Sequence, residues 1–86
     1  MKKYQRLYRY FYEVPKHGYF KIETHQRVDP LAPDRYLIKC FKGNWGIWRK
    51  KSEDGYHELE EATKALEDLM FRFKKMNGLK VKELPE

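Results

Sequence analysis

Few residues in this chain have the chemistry for proton transfer, nucleophilic attack or metal ligation. There are three histidines, His17, His25 and His57, and one cysteine, Cys40. No histidine stands in an H-E-x-x-H arrangement, and Cys40 is distant in sequence from all three. A lone cysteine excludes both an internal disulfide and a four-cysteine zinc site. Cys40 paired with a histidine would make a nucleophile and its base. Its strand-like surroundings favour a small, half-buried apolar residue instead. The carboxylates Glu58, Glu60, Glu61, Glu67 and Asp68 crowd one segment. A hydrolase needs two carboxylates facing across a cleft, which the outer face of one helix does not provide. There is no Walker loop and no G-x-G-x-x-G fingerprint. The expectation is therefore no enzyme, no metal, no cofactor and no small-molecule substrate.

The richer pattern is basic and aromatic. Aromatic residues make up 16% of the 86, and the formal net charge is +6. The charge is unevenly spread. Residues 1–52 hold 13 Lys and Arg against 4 Asp and Glu, whereas residues 53–71 hold 1 against 7. Lysine and arginine neutralise phosphates, and exposed rings stack on unpaired bases. The tryptophan hairpin concentrates both, which makes Lys39, Lys42, Arg49, Lys50 and Lys51 candidate phosphate contacts. Trp45 or Trp48 would touch bases or sugars. Phe41 and Trp48 form a stacking platform if they lie on an uncovered sheet face. They form a second small core if the N-terminal segment covers them.

The elements that must position these residues follow from periodicity. Strands are expected over about 4–14, 19–28, 35–42 and 45–51, from period-two alternation and aromatic content. In the first, Tyr8, Tyr10, Tyr12 and Val14 share one face, although a helical start also fits. Phe20, Ile22 and Thr24 share a face in the second; Tyr36, Ile38 and Cys40 do so in the third. Turns are expected at Pro15-Lys16-His17-Gly18, across 29–34, at Lys42-Gly43-Asn44, and across 52–55 around Asp54-Gly55. A helix is expected over about 58–76. Leu59, Ala62, Leu66, Leu69, Met70, Phe73 and Met76 make one apolar stripe at a period near 3.6. Glutamates open the helix and Arg72, Lys74 and Lys75 close it, both favourable to the macrodipole. No ideal N-cap precedes Glu58. Asn77-Gly78 is a C-terminal stop, with Leu79 placed to fold back on the last turn. The tail, 79–86, reads as a short edge strand or a frayed end.

Residues 36–78 run strand, tight tryptophan loop, strand, turn and a helix containing Glu61-Ala62. This order faintly resembles WGR domains and the arm-type N-terminal DNA-binding domains of phage integrases. Where a WGR domain has Trp-Gly-Arg, this chain has Trp45-Gly46-Ile47, so no site residues carry over.

The reading is one small basic α+β domain over 1–86, with a three- to four-stranded antiparallel sheet and one long C-terminal helix on one face. No apolar run approaches the roughly 18 residues of a membrane span. Arg6, Arg9 and Glu13 interrupt any leader-like apolar region, and the lack of staples suits the cytoplasm. The expected partner is nucleic acid, with DNA and RNA both open. The alternative is an acidic protein surface: a protein-binding inhibitor or adaptor, phage- or mobile-element-encoded and acting on a host nucleic-acid enzyme as anti-CRISPR proteins do. There the acidic helix face, Glu60, Glu61, Glu67 and Asp68, would imitate phosphate.

Overall fold

Alternating large apolar and polar side chains make the first two thirds of the chain a four-stranded meander. The structure, a computed structural model, describes residues 2–44 and 46–85. Its strands are β1 (Tyr4–Val14), β2 (Gly18–Arg27), β3 (Tyr36–Asn44) and β4 (Ile47–Tyr56), followed by helix α1 (Leu59–Lys75) and strand β5 (Leu79–Pro85). All pairings are antiparallel, in the order β4-β3-β2-β1-β5. The fold is thus α+β, a five-stranded sheet with one helix packed on it.

The β1–β2 turn follows its chemistry. Pro15 takes the second position, and Lys16 takes the φ of 69° that a type II turn requires at its third. The His17 N–H closes the turn on the Val14 carbonyl at 3.0 Å.

One face of the sheet meets the helix. Tyr10, Tyr12, Val14, Ile22, Ile38, Cys40 and Phe73 form the buried core, with Leu66, Leu69, Met70 and Met76 half-buried against it. The Phe73 ring lies 5.1 Å from Tyr12 and 4.9 Å from Phe20, centroid to centroid. The expected faces of the first three strands are those observed. Leu59, the first member of the helical stripe, is 61% exposed and stands clear of the core.

Four expectations need correction. The sheet has five strands, not three or four, because α1 carries the chain back across one face and lays β5 on the open edge of β1. The expected turn at 52–55 is strand. A bulge sets Lys51 aside between the pairs Phe41–Lys50 and Cys40–Ser52, and β4 continues to Tyr56. Gly55 is tolerated on this edge strand, and a Cβ there would strike the Asp34 carboxyl group. The hairpin tip falls later than expected, since Lys42, Gly43 and Asn44 belong to β3 and Asn44 pairs with Ile47. Strand residue 45 of the expectation lies outside the described residues.

The fourth correction concerns the helix end. Asn77 takes the left-handed conformation, φ 63°. Its N–H bonds Lys74 O at 3.0 Å and the Gly78 N–H bonds Phe73 O at 2.8 Å, a Schellman motif. Leu79 does not fold back; it is exposed and pairs opposite Glu13. At the other end Glu58 is extended and its side chain caps nothing, in keeping with the missing N-cap signal. Among the described residues no helix is long and apolar enough to cross a membrane.

Candidate functional site

The face of the sheet turned away from α1 carries large side chains. Cross-strand register orders them in rows. One row reads Lys50–Phe41–Lys21–Phe11–Lys82 across all five strands. The next reads Glu53–Lys39–Glu23–Arg9–Leu84. Cations thus alternate with rings in the first row and with carboxylates across the first four strands of the second.

Glu23 is the electrostatic centre of this face. It is only 7% exposed. His25 Nε2 donates to Glu23 Oε1 at 3.0 Å, with the proton on Nε2, as a carboxylate acceptor requires. Lys21 Nζ lies 3.2 Å from Oε2, and Arg6 Nη1 lies 3.6 Å from it. The His25 hydrogen bond and, after it, Lys21 hold the carboxyl pKa down to about 2, against the opposing effect of burial. Glu53 accepts from Lys50 at 3.1 Å and pairs with Lys39 at 3.6 Å. Its pKa is lowered too, mainly by the Lys50 hydrogen bond. Lys39 and Lys50 therefore share one carboxylate. Lys21 is also enclosed by rings, 4.6 Å from the Phe41 centroid and 4.9 Å from that of Trp48.

Trp48 reaches the Phe11 ring edge-on, at 6.0 Å and 61°, although β3 and β2 lie between their strands. Its cross-strand partner is Gly43, which has no side chain to obstruct it. A Cβ on Gly43 would collide with the Ile47 carbonyl, so the close approach of β3 and β4 requires glycine here. Beside Trp48 opens a slot of about 380 Å³, walled by Phe11, Tyr19, Val81 and Leu84, with Arg9 and Lys82 also lining it. Among the described residues no carboxylate lines it.

A second hollow, about 470 Å³, lies at the hairpin tips. Lys42 and Arg49 are cross-strand partners, and Lys51, His17 and the backbone around Gly18 and Asn44 complete it. Lys42 shares the face of Phe20, 5.7 Å from that ring. Among the described residues no ion pair engages Arg49 or Lys51, and neither a carboxylate nor a helix residue lines the groove.

The candidate residues therefore divide. Lys39, Trp48 and Lys50 stand on the open face, Lys42, Arg49 and Lys51 in the tip groove, and Trp45 lies outside the described residues. Phe41 and Trp48 are on the face opposite the helix, and no helix covers them. Phe11, Val81, Lys82 and Leu84 escape sequence reasoning, because Phe11 meets Trp48 only through the register of β1 to β4, and the other three join them only through the pairing of β1 with β5. The alternation of 4–14 was the one available signal for Phe11.

The residues with reactive chemistry are scattered. Cys40 is buried in the core, where burial raises its thiol pKa. His25 is on the opposite face, His17 is at a hairpin tip, and His57 lies 3.8 Å from Asp34. Among the described residues no group of three or more His, Cys, Asp or Glu is placed to hold a metal. Comparison of the chain with protein-family models, with curated proteins and with solved structures finds no match.

Proposed function

We propose that this chain is a non-enzymatic nucleic-acid-binding module that grips phosphates in the hairpin-tip groove. The observation that carries this reading is the convergence of Lys42, Arg49 and Lys51, with His17, around a groove that no carboxylate among the described residues lines. On the open face Lys21, Lys39 and Lys50 are paired with Glu23 or Glu53, so the groove is where a polyanion gains most. An anion there releases counterions as it binds, and affinity falls steeply with salt. Labelled DNA and RNA oligonucleotides, titrated at several salt concentrations, test it. The expected result is a log–log slope that falls by about one for each of Arg49→Gln and Lys51→Gln. Failure to bind any mixed oligonucleotide pool at low salt would sink the reading.

A second reading has one specific observation in its favour. Phe71 is 58% exposed on a helix whose acidic residues Glu60, Glu61, Glu67 and Asp68 are also exposed. An apolar residue among solvated acids suits contact with a basic protein. A stoichiometric protein partner that survives nuclease treatment and is lost with Phe71→Ser would favour it.

A further inference from the structure

We infer that the slot beside Trp48 takes one unpaired nucleobase, so that the preferred ligand is single-stranded. This rests on the nucleic-acid reading above and adds the base-recognition half of it. Three rings line the slot, those of Trp48, Tyr19 and Phe11, with Phe11 edge-on to Trp48. Its volume of about 380 Å³ sits at the low end of small-molecule sites, about 300–1,000 Å³. That leaves room for one base with its sugar. Val81 and Leu84 of β5 add apolar lining for a flat ring. Charge supplies the rest of the match. Lys82 lines the slot, is exposed, and has no ion-pair partner among the described residues. A phosphate on the same nucleotide meets the Lys82 ammonium, and no carboxylate among the described residues lines the slot.

The slot and the tip groove lie at the same end of the sheet. Tyr19 follows Gly18 directly, and Trp48 lies between Ile47 and Arg49, so each site borrows from the same two chain segments. A strand whose phosphates occupy the groove can therefore turn one base over the sheet end into the slot. Duplex DNA keeps its bases stacked and paired, and offers the slot nothing.

The test uses the full chain labelled with 5-fluorotryptophan, its two ¹⁹F resonances assigned by Trp45→Phe. The probes are a single-stranded oligonucleotide, the same length with every base abasic, and the matching duplex. The expected result is that the single strand binds most tightly and shifts the Trp48 resonance, whereas the abasic strand and duplex bind through the groove and leave it unmoved. Trp48→Ala weakens single-strand binding by about 5- to 100-fold, as loss of one stacked base does, with little effect on the duplex. Because Trp48→Ala also removes packing, Lys82→Gln is the second variant: exposed and unpaired, it lowers the single-strand salt slope by about one and leaves that of the duplex unchanged. Equal affinity for all three probes with an unmoved Trp48 resonance overturns the slot while the groove reading stands. A Trp48 shift caused equally by the abasic strand overturns base recognition. No binding by any probe at low salt overturns both readings together.

Discussion

The Lys21 ammonium lies 3.2 Å from the Glu23 carboxylate, two residues on in the same strand and on the same face. Neither group is available to a ligand. Lys21 is clamped between the Phe41 and Trp48 rings, and Glu23 is shared with His25 and Arg6. The pair holds the aromatic side chains at fixed height above the sheet, and its charge belongs to the scaffold.

Acid should expose this role. The Glu23 carboxyl has a folded pKa near 2 against an ordinary value of 4.5. A depressed pKa contributes stability that is fully present above about 4.5 and is lost as pH falls towards 2. The contribution is at most about 3 kcal/mol, from 1.36 kcal/mol per pKa unit. Thermal melts from pH 7 to pH 2 should show that decline in the parent chain. Glu23→Gln should be less stable at pH 7, with Lys21 and Arg6 left facing a neutral amide, and its decline in acid should be shallower.

The helix stripe should be graded along its length. Phe73 is 3% exposed and meets both Tyr12 and Phe20. Phe73→Ala should cost about 3–5 kcal/mol. That is a large part of the roughly 4–13 kcal/mol expected of a chain this size. Leu66→Ala should cost less, because Leu66 is half-buried, and Leu59→Ala should leave the urea midpoint nearly unchanged. Equal losses at all three positions would show that the helix sits differently on the sheet.

Gly43→Ala tests the hairpin that presents Trp48. A Cβ there meets the Ile47 carbonyl and lies 3.0 Å from the Trp48 Cα, both backbone. Strain of about 1–3 kcal/mol is expected, with a changed near-ultraviolet circular dichroism signal from displaced tryptophan. An unaltered spectrum and melting temperature would refute the close approach.

At the helix end, Asn77 and not Gly78 holds the left-handed backbone. Asn77→Val should lose about 1–2 kcal/mol, and Asn77→Gly should be close to neutral in a denaturant melt. Gly78→Ala should also destabilise, since its Cβ would come within 2.8 Å of the Phe73 carbonyl.

The division of the basic residues makes a separate prediction. Lys39 and Lys50 share Glu53, whereas Arg49 and Lys51 have no carboxylate partner among the described residues. The double variant Arg49→Gln/Lys51→Gln should weaken oligonucleotide binding at low salt by at least tenfold more than Lys39→Gln/Lys50→Gln. The reverse order would place phosphate contact on the open face.

Local periodicity was enough for much of this fold. The stripe from Ala62 to Met76 and the buried faces of β1, β2 and β3 are legible because each repeats within one window. β5 is not, because six of its seven residues are exposed on an edge and no inward face disciplines their order. Asp54-Gly55 looks like a turn because glycine serves there for the close approach of Asp34, a contact from 21 residues earlier. The basic residues of the tip groove were legible as a cluster in sequence. The slot was not, since the row Lys50–Phe41–Lys21–Phe11–Lys82 draws one residue from each strand and exists only in register.

The pairing of β1 with β5 also bears on the order of assembly. Tyr8 pairs with Pro85 and Glu13 with Leu79, contacts between distant parts of the chain whose closure entropy is met only after the meander and helix are in place. Val81, Lys82 and Leu84 arrive with that last strand. A chain that has folded through α1 but not docked β5 already owns the tip groove and has no far wall to its slot. Local opening of β5 would therefore abolish one site while sparing the other, and a ligand in the slot would slow amide hydrogen exchange along β1 and β5 ahead of the rest of the sheet.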